Sequence, residues 1–292
     1  MKRIVFLSVL CAFVLAGCDD DNPKPVEEIE RDVVVYFSPA SLSDVVLKST
    51  GSAEENLVAR LILYGVNYQN VVVKKFPIIA NPSLTGIPLT IPIEVTTLYA
   101  IANPSTGIEN ANPATLANLL DLTVNFATAP ESPFLMGGRG NLTFGTNVNI
   151  ELVRAVAKIE VIALDDLQIE SITVMNTPNQ GYVFKKETIA PPTSFLRVNY
   201  PAVTAGTTVY VAENSKDNPT ALEITGTYLD NPVNYTIVLK NEGLPVDIAR
   251  NTFYQVSVSA DPESEGTYTI NISEWDDVTT DPHIIPGDKF ES

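Results

Sequence analysis

The sequence predicts an all-β protein built as two seven-stranded β-sandwiches in tandem. Three observations carry that prediction. Short runs of Val, Ile, Leu and aromatic residues recur along the whole chain, several with apolar and polar residues alternating. Clusters of Asp, Asn, Gly and Pro punctuate them, as at 165–166, 176–181, 214–219, 230–232, 241–243 and 261–266. Helical periodicity is scarce, and 292 residues with 45% hydrophobic content suffice for two cores of ordinary size.

In chain order, residues 1–17 read as a leader. Lys2 and Arg3 precede an apolar run over 4–14 that is too short to span a bilayer. The leader ends Leu15-Ala16-Gly17-Cys18, small residues before a cysteine, as in a bacterial lipoprotein signal in which the Cys18 thiol accepts diacylglycerol. Loss of Lys2 and Arg3 with the leader would take the net charge from −17 to −19. Residues 18–31 form an acidic, polar tether that opens Asp19-Asp20-Asp21, too polar to bury itself and also similar to a surface-export signal.

The N-terminal sandwich is expected over 32–152. Its first strand is 32–37. The loop 38–56 follows, with Lys48 as its one basic residue and a weakly pairing stretch at 45–47. Further strands are expected at 57–64, 71–76, 87–95, 97–102, 122–126 and 142–152, and a helix at 113–120, where Pro113 opens an Ala- and Leu-rich segment. Pro88 and Pro92 send 87–95 to a sheet edge. Gly137-Gly138-Arg139-Gly140 reads as a tight turn. It lacks the following Lys-Ser/Thr of a phosphate cradle.

The stretch 148–161 runs through the proposed boundary without a break. Arg154, Lys158 and Glu160 fall together on a polar face of a half-buried strand. The C-terminal sandwich, 153–292 with its tail, is expected to hold strands at 153–164, 169–175, 208–212, 222–228, 233–239, 253–260 and 268–275.

The composition excludes several functions. A net charge of −17 speaks against nucleic acid and against an electrostatic hold on anionic lipid. Of two cysteines, Cys11 lies in the leader and Cys18 at its end, so no disulfide is expected in the folded part. The one histidine, His283, cannot make a histidine metal cluster, and no nucleophile or paired-acid motif accompanies it. Asp165-Asp166, Asp276-Asp277 and 214–218 lack calcium-loop spacing and read as turn acids. No enzyme activity, cofactor or metal is expected. Trp275 and the tyrosines read as core or rim aromatics rather than a carbohydrate platform.

The wording of several segments adds to this pattern. Phe134-x-Met136-x-Gly138 is followed by Leu152-x-Arg154-x-x-Ala157-Lys158-Ile159. Then come Ala221-Leu222-Glu223-Ile224-x-Gly226-x-Tyr228, Arg250-Asn251-x-x-Tyr254-x-Val256 and a lone Trp275 closing a strand. In this order the set resembles the fimbrillin family, lipoprotein precursors of the type V pili of Gram-negative bacteria from mouth and gut. The resemblance implies two transthyretin-like β-sandwich domains and a structural, adhesion-supporting subunit of a cell-surface fimbria. It also implies assembly by donor-strand exchange: a protease removes the first strand, and a neighbour's C-terminal strand fills the groove.

The partners implied are other fimbrial subunits and outer-membrane lipid held through Cys18, at the outer-membrane surface. A host or bacterial surface ligand is left open. Family stalk subunits are typically cut after an arginine in the loop following the first strand. Here that loop offers only Lys48, with Arg31 before the strand and Arg60 in the next one. The tail after Trp275 is interrupted by Pro282 and Pro286 and alternates poorly. An uncleaved anchor or a tip subunit therefore stands as the alternative, as does a non-polymerising surface lipoprotein that binds glycan or host protein.

Overall fold

The structure, a computed structural model, describes residues 29–39, 53–142, 146–189, 194–201, 206–241, 243–260, 267–275 and 285–289. Its elements are almost all strands. The first half comprises β1 (Glu30–Pro39), β2 (Arg60–Asn67), β3 (Val72–Lys75), β4 (Ile79–Ala80), β5 (Ile87–Pro92), β6 (Val95–Ala102), helices α1 (Thr106–Asn110) and α2 (Leu116–Leu120), then β7 (Thr123–Asn125), β8 (Met136–Asn141) and β9 (Asn147–Arg154).

One sheet runs β3-β2-β6-β8-β9-β1-β5, with β4 also on β2. β5 closes the series, as its two prolines require, since neither can donate to a further neighbour. Val33, Val35 and Phe37 of β1 and Val148, Ile150 and Leu152 of β9 share one buried cluster with Leu61 and Leu63 of β2 and Leu98 of β6. The sheet therefore curls around its own core. Its two ends meet where Lys74 of β3 pairs with Glu30 (2.9 Å) and donates to the Thr90 carbonyl of β5 (3.5 Å).

β2 and β6 are buried on both faces, which is why they read as nearly unbroken apolar runs. Ile62, Tyr64, Tyr99 and Ile101 form the second face, covered by Ile108 of α1 and Leu119 of α2. The Thr115 hydroxyl caps α2 by accepting from the Asn118 amide (3.2 Å).

The second half comprises β10 (Val156–Ala163), β11 (Leu167–Pro178), β12 (Gln180–Tyr182), β13 (Phe195–Pro201), β14 (Thr207–Ala212), β15 (Ala221–Tyr228), β16 (Asn231–Val238), β17 (Lys240–Asn241), β18 (Leu244–Pro245), β19 (Thr252–Ser259), β20 (Thr267–Glu274) and β21 (Ile285–Lys289). Two sheets, β14-β10-β19-β20-β21 and β13-β11-β15-β16, face each other. They share a core to which Ile159, Val209, Val256 and Ile270 come from one layer and Ile172, Val174, Leu222 and Ile224 from the other.

The hairpin between β15 and β16 turns on Leu229 and Asp230, with φ of 48° and 63°, the backbone that a two-residue turn needs to match strand twist. β10 lies between an antiparallel partner, β14, and a parallel one, β19. β1 has the same surroundings, between β5 and β9. Each half is thus organised around its first strand.

Several expectations are corrected. Residues 136–141 form β8, an interior strand, rather than a turn. A Cβ on Gly138 would collide with the Glu151 carbonyl of β9, and one on Gly140 would sit 2.5 Å from Val148, so the glycines serve close backbone approach. The run 148–161 is two strands broken at Ala155. Arg154 is fully buried rather than on a wet face. The helix expected from Pro113 begins at Leu116, and α1 was not foreseen. β4, β12, β13, β17, β18 and β21 were also not foreseen, so strand numbers differ from seven per half. The stretch 45–47 lies outside the described residues.

Candidate functional site

Two neighbouring features stand out. One is the slot that β1 occupies. Its register aligns Val33 with Leu89 and Val35 with Ile87 on the β5 side, and Val35 with Val148 and Phe37 with Ile150 on the β9 side. Val33, Val35 and Phe37 are 2%, 0% and 6% exposed. At about 1.5–3 kcal/mol per fully buried side chain, these three contribute roughly 4.5–9 kcal/mol. Polar contacts fix the leading end: Glu30 with Lys74, and Thr90 Oγ1 donating to Asp32 (2.8 Å). Arg31 lies inside β1, not before it, and its Nη2 donates to the Val95 carbonyl (2.7 Å).

The other feature is a polar–aromatic joint between the two halves. Glu55, in the turn that leads into β2, is 3% exposed. Its carboxylate pairs with Lys158 (3.0 Å), accepts from the Tyr210 hydroxyl (2.6 Å) and lies 3.4 Å from Trp275 Nε1. Burial first, then the hydrogen bond to Glu55 and its charge, push the Tyr210 hydroxyl pKa up.

Arg154 donates through Nε to the Glu55 carbonyl (3.2 Å), through Nη1 to Asn251 (2.7 Å) and through Nη2 to Asn56. Its guanidinium lies 4.7 Å from the Trp275 ring centre, a cation–π arrangement in a dry setting. Tyr210 stacks on Trp275, and Phe134 meets both rings. A second tie lies to one side. β12 of the second half pairs with β7 of the first, and Val183 and Phe184 enter the cluster over β2 and β6. Arg250 holds that excursion by donating to the Tyr182 and Val183 carbonyls (2.9 and 3.0 Å) while pairing with Glu213.

The structure thus brings together motif residues scattered through the sequence: Phe134, Arg154, Lys158, Asn251 and Trp275 meet in one joint. Trp275 is fully buried, as a core aromatic. The role of Glu55 was not legible, because Glu54-Glu55-Asn56 reads as an ordinary solvated turn. Arg60 begins β2, with its side chain 47% exposed and paired with Glu109. Its carbonyl accepts from the Asn103 amide (2.8 Å). Cys18, Lys48 and His283 lie outside the described residues. Among the described residues no group of three metal-ligating side chains converges, and no helix is long and apolar enough to cross a membrane.

No protein-family model matches the chain, and no curated protein matches it either. Solved structures do. The chain is similar to a protein described as a candidate cell-adhesion protein from Bacteroides eggerthii, with a TM-score of 0.64 and 16% identity over 84% of this chain and 96% of that one. It is similar to the tip fimbrial protein Mfa3 from Porphyromonas gingivalis, truncated at its C-terminus, with a TM-score of 0.61 and 14% identity over 84% and 100%. A fimbrial assembly protein from Parabacteroides distasonis gives a TM-score of 0.60 and 15% identity over 87% and 100%. The chain has the fold of these fimbrial and cell-adhesion proteins, in agreement with the fimbrillin family that its motifs resemble.

Proposed function

We propose that the chain is a structural subunit of a cell-surface fimbria, exported as a lipoprotein through Cys18 and assembled by donor-strand exchange after proteolysis. In this reading residues 32–152 and 153–292 are two transthyretin-like domains, and β1 is the strand given up. The observation that carries the reading is the place of β1. It is an inner strand, held on both sides and buried along one face, yet it is joined to β2 only through residues 40–59. Removing it would open an apolar groove flanked by two unpaired strand edges, which is what β-augmentation requires.

Arg31 and Arg60 both stand in paired strands, so cutting at either needs prior unpairing. Lys48 is the basic residue of the connecting segment, and we assign the cut to it. The proposed cut also frees the subunit from its lipid.

One observation favours a terminal role, tip or anchor. The tail segment β21 pairs with β20 of its own chain, antiparallel, with Ile285 opposite Ile270. That tail covers its own sheet edge instead of lying free for a neighbour.

Mass analysis of the chain from purified surface fibres tests the proposal. A mature chain beginning after Lys48 supports the cleaved subunit. An intact chain with lipid on Cys18 at the fibre base supports the anchor. Absence of the chain from fibres would overturn both.

A further inference from the structure

We infer that the β1 slot accepts a strand from a different chain and rejects this chain's own C-terminus, so the subunit does not polymerise with itself. The inference rests on the donor-strand reading above and specifies the partner. β1 serves as the template of whatever replaces it. An occupant must bring apolar side chains at three positions two residues apart, where Val33, Val35 and Phe37 are buried. Its leading end must be acidic, because Lys74 pairs with Glu30 and the Thr90 hydroxyl donates to Asp32. It must run parallel to β9 and antiparallel to β5. It must also be free of proline opposite β9 from the position of Val34 to that of Ser38, since β1 carries its one proline, Pro39, only at the end of that ladder.

The chain's own tail opens with acid at Asp276-Asp277 but fails the apolar and backbone demands. After Trp275 its non-proline apolar residues are Val278, Ile284, Ile285 and Phe290, and no two of them stand two residues apart. The one register that brings apolar side chains to all three pockets places Pro282, Ile284 and Pro286 there, and two of those three residues have no backbone N–H to give. Pro282 and Pro286 remove backbone donors from its middle. The segment Ile285–Lys289 is moreover already engaged on β20. The tail of a second copy is therefore excluded as donor by chemistry, and the fitting partner is a heterologous strand of the form acid-x-acid-apolar-x-apolar-x-apolar.

The test uses the full mature chain with a specific cleavage sequence inserted between residues 40 and 52 and the substitution Val35→Ala, which weakens the resident strand without removing it. After cutting, labelled peptides are exchanged in: a copy of residues 29–39, a heterologous peptide with Ile, Ile and Leu at the three buried positions, and residues 276–292. Binding is read by fluorescence anisotropy.

The first two peptides are expected to bind, and the tail peptide more than about 100-fold more weakly, since any register that keeps proline out of the slot forgoes at least two buried side chains. A tail peptide within tenfold of the 29–39 copy would overturn the inference and leave strand exchange standing. Failure of the 29–39 copy itself to bind would overturn strand exchange, and this inference with it.

Discussion

Glu55 is the point at which the segment leading from β1 into β2 touches the second half, and its replacement should loosen the joint before it unfolds the sheets. In Glu55→Gln the size is kept and the charge is lost. Lys158, whose side chain is 15% exposed, then keeps a cation with no counter-charge at 3.0 Å. Tyr210 Oη and Trp275 Nε1 donate to different oxygens of the carboxylate, and the amide keeps only one of the two as an acceptor. Removing one partner of a buried pair costs about 3–5 kcal/mol when nothing compensates, and the retained amide offsets part of that, leaving about 2–3 kcal/mol.

Lys158→Met in the Glu55→Gln background removes the stranded cation and should recover at least about 1 kcal/mol. Urea denaturation followed by far-ultraviolet circular dichroism gives the global stability. Trp275, the chain's one tryptophan, reports the joint by its emission. The Glu55→Gln emission should shift to longer wavelength at urea concentrations where the strand signal is intact. Coincident transitions at the wild-type midpoint, with no recovery in the double variant, would refute the account of the joint.

Two further outcomes follow from local geometry and from burial. Gly138→Ala should destabilise the first half by more than about 3 kcal/mol, because its Cβ meets the Glu151 carbonyl, a backbone atom that cannot swing aside; a urea midpoint equal to wild type would contradict this. Stability should also fall as pH rises from about 10 to about 12. Burial, ahead of the nearby Asp247 and Glu213 charges, pushes the Tyr254 hydroxyl up to about 12, and burial likewise raises Tyr200 to about 12. Below pH 10 these groups are protonated in both states. Between the two values only the unfolded chain loses the proton, so unfolding is favoured, by up to about 3 kcal/mol for buried Tyr254. Flat denaturation midpoints from pH 9.5 to 12, checked with Tyr254→Phe, would show otherwise.

How far the sequence revealed this molecule depended on whether one face or both decided a residue's placement. β9 and β15 alternate and were legible, because one face of each lies on a core. The proline-bearing β5 was legible as an edge for a backbone reason alone. β8 was not, since glycines that mark a turn in isolation here mark a strand pressed against its neighbour, and only the neighbour's identity distinguishes the two. Arg154 was misplaced because alternation assigns it to the polar side, whereas a layer from the other half turns that side into an interior. The same blindness hid Glu55. A carboxylate in a polar turn has no period to betray it, and its partners stand 103, 155 and 220 residues away. The candidate processing residues were legible as basic residues, but their accessibility depends on pairing that no single segment encodes.

The joint bears on what a cut before β2 would do. Glu55 and Asn56 stay fastened to Arg154, Lys158 and Trp275 whatever happens upstream, so β2 keeps its start and the first half keeps its place against the second. β1 by contrast would then be held by its own ladder, its three buried side chains and the polar contacts of Glu30, Arg31 and Asp32. Their apolar burial, roughly 4.5–9 kcal/mol, competes with the cost of holding a detached strand, which is at least about 4 kcal/mol. A nicked wild-type chain should therefore keep β1 bound at micromolar concentration, co-eluting on gel filtration and leaving only when another strand displaces it. Val35→Asp in the same nicked chain places a carboxylate among apolar groups and should shed β1 spontaneously. Immediate loss of β1 from the nicked wild-type chain would mean that the slot opens without a competitor, and that burial along one face of β1 is too weak to gate exchange.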